Sequence, residues 1–325
     1  MDDRPPVVFD VADGITAIDT FMGGRARYTA AYLLDASEPT LVETGPGTSV
    51  EPVTAALHHL GIDPAALAHV VLTHIHLDHA GGVGALSERF PRATIWVHER
   101  GARHLADPTK LVASATQAWG EREMQELFLP VEPVAEDRLR SLGDGDTIPM
   151  GDRELAVVDT PGHASHHVAL VDSRTGVVFT GDAIGIHVPD LPVLRPATPP
   201  PDFDLECYVA SIERIRGAAR SALLFAHFGP LTDVDATCDL AIQRVRAWSQ
   251  VVEEGLRETE DPEELAGRLE ATALHDIETG SEAVLDLDML EDRLRLLSSI
   301  RMNAMGLARY WQRRRERGGV GRGGS

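Results

Sequence analysis

The stretch Thr73–Gly82, THIHLDHAGG, constrains this chain more than any other: His74, His76, Asp78 and His79 fall within six positions, directly after the apolar run Val70–Leu72. A lone histidine is more often a satisfied structural residue than a ligand. Four donors clustered where a strand gives way to a helix reverse that expectation, because loops at the ends of rigid strands are where ligands converge. Neutral imidazoles and carboxylates suit zinc, iron or manganese, and two adjacent divalent ions need both ligand types to balance charge. His74 and His76, two apart, project together from an extended segment. Asp78 and His79, at the turn into the following helix, are expected to face a second ion.

Three further donors share that setting, each just after an apolar, strand-like stretch. His163 follows LAVVDTPG, Asp182 follows VVFTG and His227 follows ALLFA. Singly each is weak; with the first run they supply the remaining ligands of a two-ion site.

From Val7 to about Thr232, short β-branched runs alternate with helical stretches and Gly and Pro punctuate the joints, which predicts an α/β domain. Strands are expected at 32–34, 40–43, 69–73, 94–98, 155–159, 168–172, 177–180 and 223–226, with a hairpin turn at 172–176. From about Asp235 helical periodicity takes over. Cys238, Ile242, Val245, Trp248 and Val252 share one face; Asp261 reads as an N-cap, Pro262 as the first helical residue and Glu264 as a capping-box partner. A third helix is expected over 287–315, with Leu290, Leu294, Leu297, Ala304, Ala308 and Trp311 as its stripe. The Arg-rich, then Gly-rich end from Arg313 has no apolar residues to dock it and is expected to be disordered.

The chain carries 51 acidic and 30 basic side chains, a formal charge of −21, so its long-range field repels nucleic acid and anionic membranes. No apolar run approaches the roughly 20 residues of a membrane helix, and no secretory signal is visible at the amino terminus. Two cysteines, Cys207 and Cys238, make neither a disulfide framework nor a CxxC site, and a cytoplasmic location is the expectation.

THIHLDHAGG, DTPGH, TGDA and the histidine of FAHFGP together resemble the metallo-β-lactamase superfamily, over roughly residues 7–232. The resemblance implies an αββα sandwich with metals at one edge of two sheets: His74, His76 and His163 on the first ion, Asp78, His79 and His227 on the second, and Asp182 bridging both. Residues 1–234 would form that domain, 235–316 a helical extension and 317–325 a disordered tail. With Asp182 where some β-lactamases place a cysteine, the chain looks more like the glyoxalase II and lactonase branch. Glu43 stands in LVETG where the family usually has Asp, so hydrogen bonding behind the ligands is expected to differ.

What the resemblance implies is a hydrolase of a small-molecule ester, thioester or lactone, using two divalent ions, zinc first with iron or manganese as alternatives. A water between the ions would be the nucleophile, and Asp78 would act as ligand and proton carrier. The same ligands also serve phosphodiesterases and, with iron, oxidoreductases. The Pro-dense connection HVPDLPVLRPATPPPDF is either a stiff surface loop or a pocket wall, with His187 and Arg195 as substrate contacts. FMGGRARY, ending at Tyr28, is either an ordinary hairpin loop or a border of the site, with Tyr28 as a further substrate contact. The carboxy-terminal stripes point to packing on the main domain, to a wall of the cleft or to a homodimer seam.

Overall fold

The structure is a computed structural model that describes residues 5–188, 193–280 and 294–320. The chain groups into two compact units, the first of residues 1–159, 166–181 and 214–234, the second of residues 160–165, 182–213 and 235–325.

The first unit holds two sheets. One has seven strands in chain order: β1 (Val8–Ala12), β2 (Ile15–Asp19), β3 (Ala30–Leu34), β4 (Thr40–Val42), β5 (His69–Val71), β6 (Thr94–His98) and β7 (Leu139–Leu142). Its first four strands are antiparallel neighbours, and β4 to β7 run parallel. The other sheet has the order β15-β14-β11-β10-β9-β8, from β8 (Thr147–Pro149), β9 (Glu154–Asp159), β10 (Val168–Asp172), β11 (Val178–Gly181), β14 (Leu223–Phe225) and β15 (Pro230–Leu231).

Strand β3 shows why its sequence, AAYLL, lacks a polar face. Ala31 and Leu33 pack with Val53 and Leu57 of helix α1 (Val50–His59), whereas Ala30, Tyr32 and Leu34 pack with Val157, Leu170 and Phe179 of the opposing sheet. A strand covered on both sides reads as a continuous apolar run, and each large side chain so buried contributes about 1.5–3 kcal/mol. The expected hairpin at 172–176 forms: Asp172 Oδ2 accepts hydrogen bonds from the amide and hydroxyl of Thr175 at 2.7 and 2.6 Å. Two short helices follow β5, α2 (Leu77–Ala80) and α3 (Val83–Arg89), and the parallel strands beside β5 leave the loop from Thr73 to His79 at their carboxyl edge, the usual place for ligands in such sheets.

The second unit includes a hairpin of β12 (Ile186–Val188) and β13 (Val193–Arg195), so the Pro-dense connection is partly sheet rather than polyproline loop; its residues 189–192 lie outside the described ones. Helices α4 (Glu99–Ala106) and α5 (Thr109–Trp119) belong to the first unit; after α6 (Leu205–Ala218), the long helices among the described residues are α7 (Val234–Gly255), α8 (Pro262–Gly280) and α9 (Ile300–Val320). Cys238, Val245, Trp248 and Val252 of α7 are buried, as their spacing predicts. Asp261 caps α8, accepting the Glu263 amide at 2.9 Å.

Two expectations fail here for physical reasons. The third helix does not run unbroken to 315: residues 298 and 299 interrupt it, and Ser299 caps a fresh start by accepting the Met302 amide at 3.3 Å. Leu287 and Leu290 lie outside the described residues. The Arg-rich segment is helical to Val320, including residues 317–320 that the sequence assigns to a tail. Its arginines dock by charge rather than apolar area. Arg313 donates to the Phe203 carbonyl at 2.5 Å, Arg314 pairs with Glu206 and with the Tyr310 hydroxyl, and Arg315 donates to the Leu256 carbonyl at 3.3 Å.

Candidate metal centre

In the first unit His74, His76, Asp78, His79 and His227 gather at the carboxyl edge of the sheets. Ring centroids of His74 lie 4.6 Å from His76 and 4.1 Å from His79, and that of His79 lies 5.3 Å from His227. His74, His79 and His227 are buried, whereas Asp78 is partly exposed. The loop is braced at both ends: Val168 donates its amide to the Thr73 carbonyl at 2.8 Å, and Thr44 donates its amide and hydroxyl to the His79 carbonyl at 2.9 and 2.8 Å.

Asp78, His79 and His227 form one group able to hold an ion, and the acceptors beside two of its rings bear on how they would hold it. Nδ1 of His227 lies 3.0 Å from the Tyr28 carbonyl, and Nδ1 of His79 lies 3.2 Å from a Glu43 carboxylate oxygen. A carbonyl and a carboxylate only accept, so they favour the Nδ1–H tautomer of each ring, in which the neutral imidazole offers a lone pair on Nε2. Each of those Nε2 atoms lies 3.5 Å from Asp78 Oδ2. Ligands about 2.0–2.1 Å from a tetrahedral ion stand roughly 3.3 Å apart, so the three donors fit a divalent ion such as zinc.

In the second unit His163 and Asp182 stand together, Nε2 to Oδ2 3.6 Å. His163 directs Nδ1 at the Ala197 carbonyl, 3.0 Å away, which favours the neutral tautomer with its lone pair on Nε2. Gly162 lets this histidine be placed. Its φ is +130°, and a Cβ there would stand 2.3 Å from the Tyr208 amide nitrogen.

Of the sequence-derived substrate contacts, Tyr28 is buried and serves His227 through its backbone carbonyl. His187 is half-buried on β12 and Arg195 is buried on β13. Sequence reasoning passed over His166 and His167, whose rings lie 6.2 and 4.8 Å from that of His74. Their signal was present in GHASHH, the segment that also carries His163.

No helix among the described residues is long and apolar enough to cross a membrane. Hydroxyacylglutathione hydrolase of Xanthomonas euvesicatoria pv. vesicatoria is 29% identical over 153 residues, 47% of this chain and 45% of that protein. The human acyl-coenzyme A thioesterase MBLAC2 is 30% identical over 125 residues, 35% of this chain and 40% of that protein. The chain thus spans under half the length of these two relatives. Among solved structures, the archaeal metallo-beta-lactamase superfamily protein ST1585 from Sulfolobus tokodaii superposes with a TM-score of 0.63 at 20% identity, covering 86% of this chain and 93% of that one. The sequence profile described as the Metallo-beta-lactamase superfamily matches residues 24–227, and with that match spanning more than half of its length the chain belongs to the metallo-β-lactamase superfamily.

Proposed function

We propose that the chain is a hydrolase of carboxylic ester-type bonds, thioesters first, working with two divalent ions. On this reading His74, His76 and His163 would hold one ion, Asp78, His79 and His227 the other, and Asp182 would serve both. The reading is carried by one recurring placement: His79, His163 and His227 each have Nδ1 within 3.2 Å of an oxygen that can only accept, which favours the tautomer with Nε2 free to bind metal.

Bound ions would lower the pKa of a water toward about 7 and polarise the substrate carbonyl. The protein groups do the rest. Asp78, with one carboxylate oxygen between two imidazoles, orients the attacking water and carries its proton toward the leaving group. Glu43 and the Tyr28 and Ala197 carbonyls hold the imidazoles in one tautomer. Arg195 and His187 on the β12–β13 hairpin are the proposed substrate contacts.

Thioesters come first because hydroxyacylglutathione and acyl-coenzyme A, named in the two relatives, are both thioesters. The charge of −21 disfavours nucleic acid as the substrate. The test is a panel of thioester, lactone, phosphodiester and β-lactam substrates given to zinc-, manganese- and iron-loaded protein. Chelator-sensitive turnover of a thioester or lactone is expected. Preference for a phosphodiester or β-lactam, or redox turnover confined to the iron form, overturns the reading.

A further inference from the structure

The tautomer of His163 depends on the Ala197 carbonyl, so whatever fixes Ala197 acts on His163. The strap that bears it, Pro196–Pro201, follows β13 and contains four prolines, leaving only Ala197 and Thr198 with backbone N–H groups. A buried amide without an acceptor costs about as much as a lost hydrogen bond, and both are used. The Ala197 amide faces the Tyr208 hydroxyl at 3.5 Å, and the Thr198 amide donates to Asn303 Oδ1 on α9 at 2.6 Å.

Asn303 grips this strap several times over. Its Oδ1 also accepts the Thr198 hydroxyl, at 2.8 Å, and its Nδ2 donates to the Ser299 carbonyl at 3.1 Å, which leaves the amide one orientation. One turn further on, a Cβ at Gly306 would stand 1.8 Å from the Thr198 carbonyl oxygen, so strap and helix backbone touch with no room between them. His163, Ala197, Thr198 and Asn303 are all buried.

We propose that Asn303, on the carboxy-terminal helix, is a positioning residue for the metal ligand His163, acting through the Thr198 peptide and the Ala197 carbonyl. The proposal rests on the reading of His163 as a ligand. It makes α9 part of the metal-binding apparatus rather than a packing element alone. An apolar residue at 303 could fill the same space but would release the Thr198 amide and, with it, the carbonyl one residue before.

The test measures stepwise zinc affinities of the full chain by competition with a chromophoric chelator, for wild type, His163→Ala, Asn303→Leu, Asn303→Asp and Thr198→Val. Asn303→Leu is expected to weaken one of two ions roughly tenfold, the scale of a lost supporting bond. It should be the ion that His163→Ala weakens, with the other unchanged. Asn303→Asp, which keeps the acceptor, should recover most of the loss. If Asn303→Leu does not fold, Thr198→Val reports in its place, with a smaller loss confined to the same ion. Unchanged affinities, or equal weakening of both ions, overturn the positioning role while His163 remains a ligand. A wild type that binds no zinc, or a His163→Ala variant that loses nothing, overturns the metal reading and the proposal with it.

Discussion

Oε2 of Glu43 lies 3.2 Å from Nδ1 of His79, and both side chains are buried. The other carboxylate oxygen, Oε1, accepts the Thr73 amide at 3.0 Å. Glu43 makes both contacts from a left-handed backbone, φ +66°, a conformation that costs a residue with a Cβ roughly 1–2 kcal/mol. One carboxylate thus braces the start of the loop at Thr73 and stands beside a proposed ligand near its end. The glutamate that departs from the family's usual aspartate occupies a working position behind the site.

Glu43→Gln is therefore expected to weaken the ion held by His79. An amide offers one accepting oxygen and no charge where the carboxylate offers two oxygens, so either the Thr73 amide loses its acceptor or His79 Nδ1 loses the carboxylate oxygen beside it. The expected loss is roughly 10- to 100-fold in affinity, measured by chelator competition. Unchanged affinity would show that the loop backbone alone orients His79.

Asp78→Asn separates binding from turnover. His79 and His227 keep their Nε2 donors and the amide oxygen remains a weak ligand, so at least one ion should stay bound on elemental analysis. Turnover of the best substrate should fall about 10²-fold or more, the scale of a lost acid–base group. Wild-type turnover would remove Asp78 from the chemistry.

The candidate donors were legible in the sequence because they announce themselves locally. Each follows an apolar strand, and strand ends are set by β-branched runs that a reader can see. What lay behind the donors was not legible. The acceptors of His163 and His227 are backbone carbonyls of Ala197 and Tyr28, and a carbonyl leaves no mark in a sequence. Thr198 and Asn303 meet across 105 positions, beyond any periodicity. The arginines of α9 were misread because apolar content was taken as the only means of docking, whereas Glu206 and main-chain carbonyls hold them.

Metal binding should also register as stability, with a selectivity that follows from the donors. An ion bound only by the folded state adds about 2.7 kcal/mol at a free concentration 100 times its Kd. Zinc, manganese or iron should raise the thermal midpoint of chelator-treated protein. Calcium and magnesium, which prefer oxygen ligands, should not. Equal shifts with all five ions would mean that they bind carboxylates elsewhere on this acidic surface.

Away from the metal centre, Arg153 and Asp172 form a wholly buried ion pair, with Nε–Oδ1 2.8 Å and Nη2–Oδ2 2.7 Å. Nη1 donates to the Gly14 and Asp35 carbonyls at 3.1 and 3.3 Å, tying the β1–β2 and β3–β4 turns to the second sheet. Burial pushes the Asp172 carboxyl up, but Arg153 and the Thr175 hydroxyl and amide outweigh it, and the net shift is downward. A carboxyl depressed on folding contributes stability above its unfolded value, about 3.9, and that contribution is lost as pH falls through the folded value. Asp172→Asn should cost about 3–5 kcal/mol at neutral pH, because it leaves the guanidinium buried without its counter-charge. The variant should also lose less stability than wild type on acidification below pH ~4. Urea titrations at neutral pH and in acid read both effects. A loss below about 1 kcal/mol at neutral pH would mean that the Gly14 and Asp35 carbonyls alone satisfy Arg153.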